Sequence, residues 1–191
     1  KELGLRDEVL EETIIFDDVL TNLAKGGGDI NKSFAENAGI KFESFVTEAK
    51  VIGQTTDHTC VATSLKMVLE DIGITRSEDF LATALKTDKN GARLMDIPEA
   101  LYNSRLDEQV VTIFEKDIKF SKLIEKLEEG DKAIVSIFQK DLGNDAVVLE
   151  KIEDGRVFLR DPLPINQGTF YSITLEDFTE IFRDKAVIIK K

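Results

Sequence analysis

The chain has 191 residues, 42% hydrophobic and 32% charged, the composition of a globular protein large enough for one proper core. Its net charge of −12 argues against a broad nucleic-acid interface, which needs clustered Lys and Arg. One cysteine excludes an internal disulfide and a Cys-rich zinc site, and one histidine leaves little for an imidazole metal site, so no cofactor is expected.

Leu5, Val9, Leu10, Ile14, Val19, Leu20 and Leu23 recur at helical spacing and predict an amphipathic helix over residues 3–23. "KGGGD" at 25–29 ends it, because three glycines lose too much backbone freedom in a helix. The spacing of Leu20 and Leu23 from these glycines suits a cleavable double-glycine leader poorly, so the tract reads as a flexible linker. A second short helix is expected over Ile30–Ala38, followed by the extended approach "KFESFVTEAKVIGQ". Residues 1–50 thus read as an N-terminal helical appendage with a Gly-rich linker, and 51–191 as the domain proper. No apolar run reaches the roughly 20 residues of a membrane span. The opening "KELGLRDEVLEET" has no signal-peptide pattern.

The domain opens with a helix from Cys60 to Ile72 that carries Val61, Leu65, Val68 and Leu69 on one face and stops at Gly73. Helices are expected from Ser77 to Lys86, from Asp96 to Asn103 with Pro98 in its first turn, and from Ser121 to Glu129 before Gly130. Val110–Phe114 reads as a short strand. Beyond Gly130, "KAIVSIF", "DAVVLEKI", "RVFLR" and "KAVIIK" are short, β-branched and alternating, so they read as strands. Asp154-Gly155 is the turn of a hairpin. "SITLEDFTEIF" is expected to be a last short helix. Helices first and an antiparallel sheet afterwards make an α+β architecture.

The only cysteine and the only histidine lie two residues apart in "GQTTDHTCVATSLKMVL". Gln54 precedes Cys60 by six residues, Cys60 opens a helix, and Asp161-Pro162 follows Asp145 by sixteen. A short "LEDF" helix and a final strand close the chain. This order resembles papain-like cysteine peptidases, and more closely the bacteriocin-processing peptidases that cleave double-glycine leaders in ABC exporters. The resemblance covers roughly residues 51–190. It implies a papain-like α+β fold, with an N-terminal helical half carrying Cys60 packed on a C-terminal antiparallel sheet. It makes Cys60 the nucleophile, Gln54 the oxyanion donor and Asp161 the residue that orients the base. The base position, a histidine in the family, is Asp145 here.

A helix N-terminus favours a thiolate, and a glutamine amide can donate to an oxyanion. A carboxylate is a poor base for a thiol, with a reference pKa of ~3.9 against ~6.5 for imidazole and ~8.5 for the thiol. Its charge also opposes thiolate formation. His58 sits in the loop before the helix, whereas a papain-like base comes from the facing sheet, so it reads as a loop histidine. Taken singly, Cys60 could be a buried small hydrophobe, Asp145 a loop end and Asp161-Pro162 a strand-ending turn.

Two functions stay open. The first is a domain without an intact Cys-His dyad that binds a peptide or protein partner in the former substrate groove. By fold-level analogy it would be the C-terminal toxin module of a secreted bacterial protein, delivered to a target cytoplasm and met by an immunity protein. The second is an active cysteine peptidase, deamidase or acyl-transfer toxin, present here in an inactivated form.

Overall fold

The computed structural model describes residues 29–191. The helix expected over residues 3–23 and most of the glycine linker lie outside them. Six helices and a seven-stranded antiparallel sheet follow in the described residues. A short α1 (Phe34–Asn37) and a two-residue β1 (Glu43–Ser44) come first. Three helices then form the helical half: α2 (Cys60–Asp71), α3 (Glu78–Ala84) and α4 (Ile97–Asn103), the last preceded by a 3-10 turn at Leu94–Asp96. The rest alternates as β2 (Val111–Lys116), α5 (Phe120–Glu128), β3 (Lys132–Gln139), β4 (Gly143–Glu153), β5 (Arg156–Asp161), β6 (Thr169–Thr174), α6 (Leu175–Ile181) and β7 (Phe182–Lys190). The strand order is β1-β6-β5-β4-β3-β7-β2. No helix among the described residues is long and apolar enough to cross a membrane.

Alternation on the central strands feeds two cores. Ile134, Ala146, Val148, Val187 and Ile189 pack with α2 and its neighbours on one face. Val135, Ile137, Val147, Leu149 and Ile188 face the other side with Phe34, Leu123 and Phe178. This period of two is what the β-branched runs predict. The hairpin turns at Asp154-Gly155 as expected, both residues in the left-handed region at φ 51° and 73°.

Helix α2 is fixed at both ends. Its C-terminus closes on Gly73 (φ 89°), with the Ile74 amide donating to the Leu69 carbonyl at 2.8 Å. Near its start, the Ser64 hydroxyl donates to the Ala146 carbonyl on β4 at 2.9 Å, in the buried interior. At its far end Asp71 receives both terminal nitrogens of Arg160, a side chain with no solvent exposure. Arg160 Nε also lies 2.7 Å from Glu150 Oε2, off the hydrogen-bond direction, so that contact is an ion pair without an aligned hydrogen bond. Arg160 therefore ties the helical half to the sheet.

Two features depart from the sequence expectation. β6 occupies Thr169–Thr174, where the last helix is expected to begin at Ser172; the helix starts only at Leu175, after Thr174 caps it by accepting from the Asp177 amide. Residues 29–44, which the sequence assigns to the appendage, pack against the sheet. Phe34 and Ala35 are buried in the second core, and β1 pairs with β6. The cause is long-range: the partners of these residues lie more than 100 positions away.

Candidate functional site

Cys60 is the first residue of α2 and is 7% exposed. Thr59 precedes it without a side-chain cap, because its hydroxyl is engaged with Thr56 at 2.9 Å. The amides of Val61 and Ala146 turn to the sulfur instead and favour the thiolate, as oriented N–H groups should. They lose to two larger effects. Burial pushes the Cys60 thiol well above its ordinary pKa, and the Asp145 carboxyl pushes it further. Both effects favour the neutral thiol at Cys60.

Asp145 and Asp161 reach the site from adjacent strands. Asp145 lies on β4 opposite Ile137, and Asp161 ends β5. Both are buried, at 3% and 0% exposure. Asp161 is well supplied with donors: Leu163 N at 2.9 Å on Oδ1, and Phe34 N at 2.8 Å with the Tyr171 hydroxyl at 3.1 Å on Oδ2. Asp145 Oδ2 has no conventional donor in reach. Burial raises both carboxyls above their ordinary range, and each lies within hydrogen-bonding distance of the other. Asp161 is pushed up to about 6 and Asp145 well beyond the carboxylate range. The two carboxyls titrate as a pair, and Asp161 is the one better supplied with hydrogen-bond donors. Tyr171 is raised as well, by burial and then by the neighbouring Asp161.

Gln54 is 2% exposed, in the loop ahead of α2. Its amide nitrogen donates to the Thr56 carbonyl at 2.7 Å, which leaves its second N–H for another acceptor, while Oε1 is buried without a partner. The backbone of Gln54 is laced to the segment after Asp161: its N–H donates to the Pro162 carbonyl and its carbonyl accepts from Asn166, both at 2.9 Å. Gly53 allows this approach, since a Cβ there would stand 2.1 Å from Gln167 N. From the other side Glu78 on α3 receives the Thr55 amide at 3.2 Å and the Thr55 hydroxyl at 2.7 Å.

The structure thus brings Cys60, Asp145 and Asp161 together and places Gln54 on the loop that leads into Cys60. His58 takes no part: its Nδ1 pairs with Asp57 at 2.8 Å, and it is absent from the groups that act on the thiol. The chain has no other imidazole. Phe34, Tyr171 and Glu78 are site-supporting residues that sequence reading missed. The Ser33-x-x-Glu36 capping box marks the start of α1 locally, but nothing local says that its first amide meets Asp161.

A cleft of about 840 Å³ opens between the 84–100 segment of the helical half and strands β2, β3, β4 and β7, and Gln54, Cys60, Asp145 and Asp161 are not in its lining. Ser136 and Asn144 are in its wall, and Asn144 is the neighbour of Asp145.

The description Peptidase C39 family matches residues 48–191. The peptidase domain of Streptococcus ComA, a bifunctional ABC transporter of a quorum-sensing pathway, is similar in structure. Its TM-score is 0.62 at 20% identity, covering 74% of this chain and 98% of that one. A double-glycine-motif protease from an AMS/PCAT transporter, solved in complex with the leader peptide, gives a TM-score of 0.59 at 22% identity, covering 78% and 98%. A C39-like peptidase from Bacillus anthracis gives 0.60 at 15% identity, covering 78% and 97%. No curated protein matches the chain. The matched family spans three quarters of the sequence and includes Gln54, Cys60, Asp145 and Asp161, and the chain belongs to the Peptidase C39 family.

Proposed function

We propose that this chain is a C39-type domain that binds a peptide or an extended segment of a protein partner in the cleft and does not cleave it. The observation that carries this reading is the environment of Cys60. A nucleophilic thiol needs a base that accepts its proton and a cation that stabilises the thiolate. Cys60 is buried beside two carboxyl groups, and burial together with their negative charge opposes its ionisation. Asp145 stands in this reading where the family carries its histidine. The rest of the site supports recognition: the cleft is large enough for several residues of peptide, and a structurally similar transporter protease is seen with its leader peptide.

One observation favours the alternative, an enzyme inactivated at a single position. Support comes from Cys60 at a helix start, two amides on its sulfur and Gln54 on the loop ahead of that helix. Asp161 also retains the hydrogen bonds that would let it orient an imidazole.

A panel of fluorescent peptides, read by anisotropy for binding and by mass spectrometry for products, tests the proposal. Saturable binding without products, unchanged in Cys60→Ala, is expected. Cleavage by the unaltered chain that disappears in Cys60→Ala overturns it.

A further inference from the structure

The basic side chains of the cleft differ in how they are matched. On the helical wall Lys86 pairs with Glu99 at 3.8 Å and Arg93 with Asp96 at 3.0 Å. Lys116 and Lys185 are engaged as well. Arg183 is exposed, its guanidinium lies over the Phe138 ring at 4.1 Å, and no carboxylate among the described residues pairs with it. The sheet-side wall in which it stands, with Phe114, Ser136 and Asn144, contains no carboxylate.

The strand is built to present this side chain. β3 and β7 pair Val135 with Ala186 and Ile137 with Phe182, so Ser136 alone stands opposite Arg183, Asp184 and Lys185. This bulge is pinned: Asp184 sits at φ 55°, and its carbonyl accepts from the amide of the buried Ile118 at 2.8 Å. Bulges bend a strand and re-aim its side chains. Here Arg183 is turned into the cleft and braced on Phe138. Phe138 pairs with Asn144 on β4 and follows Ser136 by two residues on the same face of β3. The Asn144 amide and the Ser136 hydroxyl therefore flank the ring that carries the guanidinium. Stacking holds the guanidinium plane and leaves its N–H edge for a planar acceptor. A carboxylate is the acceptor whose geometry matches that fork. Leu85, Leu94 and Phe114 give the same cleft an apolar lining.

We propose that Arg183 is the specificity-determining residue of the cleft and that it selects a peptide segment carrying an acidic side chain next to an apolar one. Ser136 and Asn144 stand beside it as hydrogen-bond partners for the same segment. The inference rests on the reading of the cleft as a peptide-binding groove, and it names the class of ligand. The chain carries a net charge of −12 and repels acidic ligands at long range. Selection therefore comes from contact at this one guanidinium and not from electrostatic steering.

Matched pairs of fluorescein-labelled peptides test the inference on the full chain. The members of a pair differ only in one Glu against Gln flanked by leucines, and each is made with a free and with an amidated C-terminus. Anisotropy titrations are expected to show the Glu member binding about tenfold more tightly, whichever C-terminus it has. In Arg183→Gln that preference should shrink to within about twofold while the Gln member binds as before, which also shows that the variant is folded. Arg183→Lys keeps the charge without the planar fork and should restore part of the preference. If both members bind equally well to the unaltered chain, the groove stands and the role of Arg183 falls. A preference that survives Arg183→Gln, or one that needs a free C-terminal carboxylate, also overturns the inference. Absence of saturable binding by every pair removes the groove reading and the inference with it.

Discussion

The Asp145 carboxyl lies within hydrogen-bonding reach of both the Cys60 thiol and the Asp161 carboxyl. A helix N-terminus ordinarily favours a thiolate, and here burial and a neighbouring carboxyl outweigh two amide dipoles and raise the thiol pKa.

Asp145→His should activate the thiol. An imidazole at this position replaces a group that opposes ionisation by one that accepts the proton, and Asp161 already has the partners to hold it. Alkylation of Cys60 at neutral pH is expected to accelerate at least about tenfold. Labelling rates of the two proteins check this, and equal rates would show that Asp145 does not control the thiol.

The two raised carboxyls make stability fall with pH. Both carboxyls are raised in the folded state, so above the unfolded value of about 4 the unfolded chain releases protons that the folded chain keeps. The stability these groups contribute is fully present below about pH 4. It is lost as pH rises through about 6 for Asp161 and beyond that for Asp145. Asp145→Asn supplies a permanent donor to Asp161 and removes one ionisation. It is expected to gain about 2 kcal/mol at pH near 8 and to flatten the decline, as read by denaturant titrations across pH.

Arg160 should be the most sensitive charged residue in the fold. Its guanidinium is unexposed and faces Asp71 on α2, Glu150 on β4 and the Lys50 carbonyl. Arg160→Met strands two carboxylates and is expected to cost about 3 kcal/mol. Adding Asp71→Asn should recover part of that loss, and a double-mutant cycle by chemical denaturation measures the coupling.

Gly53→Ala tests the lacing of the Gln54 loop. The new Cβ would stand 2.1 Å from Gln167 N and 2.6 Å from the Asn166 carbonyl carbon, so backbone must move. A loss of about 2 kcal/mol in stability is expected, together with weaker peptide binding, because the displaced loop carries Gln54.

The legible part of this molecule was the part written in short-range pattern. The α2 helix announces itself by the apolar spacing from Val61 to Leu69 and by Gly73, and the central strands by β-branched alternation. Cys60, Asp145 and Asp161 were legible as a set through ordered spacing within a family resemblance. β6 was lost because "SITLEDF" carries a helix signal in its second half, and the Thr174 cap divides strand from helix at a position where both patterns overlap. The donors to Asp161 were illegible for a different reason. Phe34 lies 127 residues from its acceptor, and only the folded sheet shows that α1 belongs beside it. Arg160 reads as one charge in an alternating strand, and its burial follows from Asp71, 89 residues away.

The rate of Cys60 alkylation as a function of pH tests the central claim most directly, because the chain has one cysteine and the readout is unambiguous. A non-nucleophilic Cys60 predicts slow labelling that is still climbing, with no plateau, at about pH 9. Fast labelling that levels off with a midpoint at or below about pH 7 would mean that a thiolate is stabilised in the folded protein, and would contradict the account.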